Sequence, residues 1–385
     1  MRRVLSIAAL CLVPALLLSG CWSYRGLSDL ALVVGMGVDR DEATGDYRLS
    51  SEILDLTKPP KSNAPGSKVV VSTGKTLFDA ARNAKRRLLN RLYIGNIQAL
   101  VIGEDVARTV GIEPLVDWFL REGESRETLN IVLAQGVSAQ ELLSLPGIDH
   151  HISSIEIDRI VSEDHRLTSS TAYIELYRIY DTLKCPGISL TLPVFHIVDN
   201  DGESTFESNG IAAFAGDKLV GLLTPEESKF FLIATDQCNG GLLTLDRHGA
   251  GAHDITLEIA GSRSKTSFSV RDRRPAFRIE VETDVYLAEV QSEIDVMDAA
   301  QIESVEREAG RQLSDATERL VRKAQSEFKS DILGLGRRVY QRDVRLWKQL
   351  ESNWTSIFPT VSVEVSCRVN IKNSAFIKSE EALRS

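Results

Sequence analysis

Residues 299–328, AAQIESVEREAGRQLSDATERLVRKAQSEF, decide the fold class of this chain. Ile302, Val305, Ala309, Leu313, Ala316, Leu320, Ala324 and Phe328 recur at spacings of three and four, which lines them along one face of an α-helix. At ~1.5 Å per residue the helix is about 45 Å long, enough to cross a whole sheet. Gly310 inside it costs about 1 kcal/mol relative to alanine and marks a place for a bend.

The flanking segments supply that sheet. Residues 253–259, 264–270 and 276–290 alternate apolar and polar side chains and read as successive antiparallel strands. Beyond the helix, SDILGLG (330–336) is a breaker, RRVYQRDVRLWKQLESNWTSIF (337–358) reads as a further helix, and TVSVEVSCRVNI (360–371) is a strand. Val361, Val363, Val365, Cys367, Val369 and Ile371 face one way in it. Upstream, SNGIAAFAGDKLVGLLT (208–224) is a hairpin turning at Gly216-Asp217. Thr224-Pro225-Glu226-Glu227 is then a capping box with proline at the first helical position. Residues 206–375 therefore form an α+β domain, an antiparallel sheet with long helices on one face, and 376–385 is a tail.

The front half has a different rhythm. From Leu30, ALVVGMGVDRDEATGDYRLSSEIL gives two strands around a turn at Thr44-Gly45-Asp46, and 58–67, with three prolines, is a loop. A strand at Val69–Val71 and a turn at Ser72-Thr73-Gly74 precede an amphipathic helix over 77–92. A strand at 97–102 leads to a helix with Pro114 in its first turn and Leu115, Trp118 and Phe119 inside. After a strand at 128–134, Ser138 caps a short helix with Glu141 at its third position. This alternation predicts a mixed sheet with helices packed on it over residues 22–195. A less legible stretch around 146–205 contains a helix at 170–183 with Tyr173, Tyr177 and Tyr180 on one side, and reads as a small middle subdomain.

The N-terminus reads as an export signal. Met1-Arg2-Arg3 is followed by an apolar run of about 15 residues, shorter than the roughly 20 a membrane-spanning helix needs, and broken by Pro14. Leu18-Ser19-Gly20-Cys21 matches the bacterial lipobox. The expectation is cleavage between Gly20 and Cys21, removal of residues 1–20, and a diacylglyceryl thioether plus an N-acyl group on Cys21. Two acyl chains hold a protein to a bilayer where one would let it go. Trp22 to Leu30 is a short lead-in to the first strand, which keeps the body close to the bilayer.

Charge narrows the partners. With 54 acidic against 45 basic residues the net charge is −9, and about −11 once Arg2 and Arg3 leave with the signal. Such a surface disfavours nucleic acid and is repelled by anionic headgroups, so the body should stand off the membrane surface. Of five cysteines, Cys11 leaves with the signal and Cys21 carries lipid. Cys185, Cys238 and Cys367 remain, enough for at most one disulfide.

Chemistry-bearing motifs fail on spacing. Gly35-Met36-Gly37 follows an apolar strand, but the third glycine of a dinucleotide fingerprint would fall at Arg40 and no helix follows, so a bulge or close packing explains it better. Gly74-Lys75-Thr76 lacks the earlier glycine of a phosphate loop, and Thr76 serves as a helix cap. His150, His151, His165, His196, His248 and His253 show no ligand spacing, and neither G-x-S-x-G, C-x-x-C nor H-E-x-x-H occurs. No catalytic, cofactor or metal residue is predicted. Arg82, Lys85, Arg86, Arg87 and Arg91 form a basic helix face, either solvated or a contact for a partner or a membrane. Trp347 and Trp354 read as core anchors.

Taken together, these blocks resemble the C-subunit lipoproteins of bacterial spore germinant receptors, the Ger(x)C family. The resemblance rests on Cys21-Trp22, Leu27, Asp29-Leu30-Ala31, Val33-Val34-Gly35-Met36-Gly37-Val38-Asp39, Gly74 to Phe78, Arg91 to Gly95 and Phe119-Leu120-Arg121. It continues through Phe328 to Gly336, Trp347, Trp354 and Phe358-Pro359. Asn96 stands where many members have histidine, and KNSAFIK (372–378) lacks their closing glycine. The resemblance implies a three-domain, non-enzymatic subunit on the outer face of the spore inner membrane, acting with two integral membrane subunits in nutrient-triggered germination. It does not imply that this chain itself binds the nutrient. The alternative from another class is an extracytoplasmic solute-binding lipoprotein, which expects two similar α/β lobes around a hinge.

Overall fold

The computed structural model describes residues 29–55, 66–149, 152–246, 253–271, 274–291 and 297–373. The signal, Gly20 and Cys21, most of the 58–67 loop and the tail lie outside them.

β1 (Leu30–Arg40) and β2 (Tyr47–Leu54) form the expected hairpin, with Gly45 in the left-handed region that glycine tolerates. β3 (Ser67–Gly74) pairs with β2, running through the turn expected at 72–74, and α1 (Leu77–Asn83) follows under a Thr76 cap. α1 ends far short of residue 92: one 3-10 turn (Ala84–Arg86) leads into β4 (Arg91–Tyr93). Here the pairing of β4 with β1 overrides helical periodicity, because three residues gain a strand partner that an extended helix would forgo.

β5 (Ala99–Gly103), α2 (Glu104–Thr109), α3 (Glu113–Arg121), β6 (Asn130–Ala134) and α4 (Ala139–Ser144) complete the α/β part. β5 and β6 are buried at every position, as parallel strands covered on both faces must be. Leu100 and Ile102 face a core shared with α1, α2 and α3, whereas Ala99 and Val101 face one shared with α4.

The middle stretch does not build a sheet of its own. α5 (Ser153–Leu167), which its many charges hid, packs with α4. α6 (Leu176–Lys184) is the shortened version of the helix expected at 170–183, and packs on the opposite face. β7 (Thr191–Asn200), β8 (Glu203–Ala215) and β9 (Lys218–Leu223) then extend the same sheet, in the order β3-β2-β1-β5-β6-β7-β8-β9 with β4 beside β1. The sheet thus runs across the expected boundary at 195–206 and ends at Leu223. Gly216 and Asp217 make the hairpin turn as expected.

α7 (Pro225–Ala234) begins with the expected capping box. β10 (Leu242–Asp246), β11 (His253–Arg271) and β12 (Arg274–Val290) are antiparallel neighbours in a second, four-stranded sheet. The strands expected at 253–259 and 264–270 are one strand, because Gly261 sits at a bulge rather than a turn. α8 (Ala299–Lys323) and a π-turn (Ala324–Phe328) together span the predicted helix. Its stripe is buried from Val305 to Phe328, with Ile302 half-buried, and Gly310 lets it approach the final strand: a Cβ there would sit 3.0 Å from the carbonyl of Cys367.

The single helix expected over 337–358 is divided into α9 (Leu335–Arg342), α10 (Val344–Leu350) and α11 (Trp354–Ile357). Asp343 makes the first break by capping α10 through the Leu346 amide at 2.9 Å. β13 (Ser362–Asn373) lies parallel to β12, not antiparallel, because α8 carries the chain back along the sheet as a crossover. The fold is mixed α+β, as predicted, and the two sheets are unlike each other.

Candidate functional site

The breaker SDILGLG makes hydrogen bonds to segments on both of its sides in the chain. Lys329 and Gly334 both take left-handed backbone, so the chain reverses tightly between the π-turn and α9. Inside the reversal Asp331, 4% exposed, accepts hydrogen bonds from the Leu335 amide at 3.0 Å, the Gly336 amide at 2.7 Å and the Trp354 indole at 3.0 Å. Burial pushes its carboxyl up to about 6, against the pull of these donors.

The same loop fastens the two sheets together. The Ser189 amide donates to the Asp331 carbonyl at 2.9 Å, the Arg337 amide to the Gly187 carbonyl at 2.6 Å, and the Ser330 hydroxyl to the Phe214 carbonyl. Gly187 and Gly336 touch backbone to backbone: a Cβ on Gly187 would lie 2.4 Å from the Gly336 carbonyl carbon, and one on Gly336 would lie 2.7 Å from the Trp354 ring. Phe328 presses on Gly221 of β9, and Lys323 pairs with Glu227 at 2.7 Å. Trp347 and Trp354, from different helices, are buried beneath the loop with their ring centroids 5.5 Å apart and their planes tilted by 60°, which confirms them as core anchors. A carboxylate sealed this way cannot meet a substrate; its chemistry is to hold donors in place.

The front motif Val33 to Asp39 works in the same manner. Asp39, buried at the end of β1, accepts the Ala139 and Gln140 amides at 2.7 and 3.0 Å and so caps α4. Burial raises its carboxyl above the ordinary range, and the two amides oppose that shift. Glu52, 1% exposed, accepts the Ser153 and Ser154 amides at 3.1 and 3.0 Å and caps α5, with Ser67 donating at 2.7 Å. A carboxylate at a helix N-terminus is favoured by the dipole and satisfies orphan amides. Gly35 and Gly37 exist for this packing: a Cβ on Gly35 would meet Ser154 at 2.4 Å, and one on Gly37 would meet Leu143 at 3.0 Å. The β1–β2 register also shifts between Val33 and Gly35, so bulge and close packing are both present.

A third feature is open to solvent. Phe78, Arg82, Lys85, Leu92 and Trp118 line a groove of about 310 Å³ between α1, β4 and α3. The Arg82 guanidinium lies 4.8 Å from the Phe78 ring centroid, and Arg91 pairs with Glu124 at 2.8 Å.

Two family models tile this architecture. One, described as the spore germination protein N-terminal domain, matches residues 23–197, and the other, spore germination B3/GerAC like, C-terminal, matches 209–375. This chain belongs to the Ger(x)C family. Among Ger(x)C relatives, spore germination protein KC of Bacillus subtilis (strain 168) is 21% identical over 97% of each chain. Spore germination protein B3 of the same organism is 22% identical over 93% of this chain and 95% of its own. The crystal structure of the GerBC protein has the same fold, with a TM-score of 0.58 and 19% identity over 88% of this chain and 97% of that one.

Cys21 and Gly20 fall outside the described residues. Among the histidines, only the side chain of His196 lies within them, 2.9 Å from Glu207 on the surface of β7 and β8. No metal-holding group and no helix able to cross a membrane occurs among the described residues. Cys185, Cys238 and Cys367 are free thiols, with burial raising those of Cys238 and Cys367. Sequence reasoning assigned no role to Asp39, Glu52 or Asp331. Only Asp331 has a local signal, its place just before the glycine-rich break ILGLG; Asp39 beside Arg40 and Glu52 after Ser50-Ser51 carry none.

Proposed function

We propose that this chain is the lipid-anchored, non-catalytic subunit of a nutrient germinant receptor, acting in receptor assembly and signal relay beside two integral membrane subunits. Its role in spore germination follows from the family. The observation that supports the finer reading is the match of both family models, whose ranges span the positions of the sealed junction around Asp331 and of the helix-capping carboxylates Asp39 and Glu52. These buried groups give rigid surfaces suited to protein contacts. The solute-binding alternative finds no support in two dissimilar sheets. Anchorage through Cys21 on the outer face of the spore inner membrane agrees with the lipobox and with the short lead-in to β1.

Membranes from dormant spores, solubilised in mild detergent, provide the test. An affinity-tagged copy of this chain is expected to bring down two multi-span membrane proteins in a fixed ratio. Recovery of the chain alone, repeated across several mild detergents, would sink the assembly reading.

A further inference from the structure

The large sheet has one end at which the N-terminal segment enters it. Parallel pairing of Leu30 with Arg91, Ala31 with Leu92 and Leu32 with Tyr93 sets β4 beside the first residues of β1. The chain from Cys21 to Leu30 reaches at most about 32 Å when fully extended, so the surface around β4 lies near the tethered residue. That surface differs from the rest of the molecule. Between Lys75 and Arg91 there are six cations and one acid, in a chain whose net charge is −9.

Arg82, Lys85 and Arg86 are exposed and pair with no carboxylate among the described residues, whereas Arg91 is matched by Glu124. Phe78 is half exposed beneath Arg82, and Leu89, in the turn before β4, is 91% exposed. The Lys85 ammonium folds onto the Leu89 carbonyl, which places a cation at the base of the most exposed large apolar side chain among the described residues. Apolar tips ringed by unpaired cations match the cross-section of a bilayer interface, where hydrocarbon lies just below phosphate.

We infer that Phe78, Arg82, Lys85, Arg86 and Leu89 rest on an anionic phospholipid surface, with Leu89 in the interface and the cations at the phosphates. The inference depends on the proposed tether at Cys21 for its setting. Whole-chain charge predicts repulsion from such a surface, but the fold gathers cations at the tethered end, and the acidic remainder is then turned away from the lipid.

The test replaces the acyl tether so that the two readings fail separately. Residues 21–385, which contain every described element, carry Cys21→Ser and an N-terminal hexahistidine held by nickel-chelating lipid on phosphatidylcholine vesicles with or without phosphatidylglycerol. With Leu89→Trp, emission is expected to shift to the blue and to be quenched by brominated lipid beyond the parent chain, only on the phosphatidylglycerol vesicles. Adding Arg82→Glu, Lys85→Glu and Arg86→Glu should abolish the quenching and, without the tether, lower vesicle affinity by about 100-fold. A folded, tethered Leu89→Trp chain quenched no more than its parent, or equally on both vesicles, overturns the inference. So does a triple variant that keeps its lipid contact and instead loses the receptor subunits on co-purification, since the patch would then face protein.

Discussion

Asp331→Ala is expected to lower the stability of the chain by about 4 kcal/mol or more, the largest effect of any single substitution considered for the folded body. The Leu335 and Gly336 amides and the Trp354 indole all lose their acceptor at once, in a site with no access for water to replace it. Each orphaned buried donor costs about 1–3 kcal/mol. Asp331→Asn keeps the volume and one oxygen but turns an amino group toward a donor, so roughly half that loss is expected. Urea unfolding followed by tryptophan fluorescence reads both, because Trp347 and Trp354 sit in the core beneath the loop. An alanine variant with an unchanged midpoint would show that the loop does not hold the sheets together.

The same residue gives a pH dependence of defined sign. Its folded-state value of about 6 lies above the unfolded value near 3.9, so the native state binds this proton more tightly. The contribution is therefore full below about pH 4 and is lost as pH rises through 6, by about 3 kcal/mol over the window. Asp41, Asp117, Asp284 and Asp298 are held below the ordinary carboxylate range and act in the opposite direction. The difference between wild-type and Asp331→Asn stability curves isolates the one residue: wild-type stability relative to the variant should fall by about 3 kcal/mol from pH 4 to pH 7. A gap constant across that range would show that the carboxyl does not titrate there.

Cys21→Ala is expected to have the largest effect on location. Without a thiol there is no thioether, and two acyl chains, each contributing ~0.8 kcal/mol per buried CH₂, are lost together. Fatty-acid labelling should vanish and the chain should leave the membrane fraction, while the unfolding midpoint stays unchanged because every described element begins after residue 28. Labelling that persists in the alanine variant would show that Cys21 is not the acylated residue.

The elements read correctly from sequence are those whose signal is local. The Thr224 and Ser138 capping boxes, the Gly216-Asp217 turn and the stripe of α8 each depend on residues within a few positions of one another. Leu92 belongs equally well to a helix face and to a strand, and the open partner along β1 settles it. Asp343 in RRVYQRDVRLW looks like a mid-helix acid until its side chain caps the next helix. The carboxylates were illegible for the same reason at longer range. Asp39 meets its amides a hundred residues away, so neither sequence near it nor sequence near α4 announces the contact.

By itself the sequence determined the membership, the α+β class and the helix that spans residues 299–328, because composition, motif and 3.6-residue periodicity need no knowledge of partners. Only the tertiary structure decided that one sheet runs through the expected boundary, that β13 returns parallel to β12, and that Gly187, Asp331 and Gly336 fasten the two sheets. Strand order and buried hydrogen bonds depend on which distant segments come into contact, and a hydrophobic pattern states that a face is buried without stating against what.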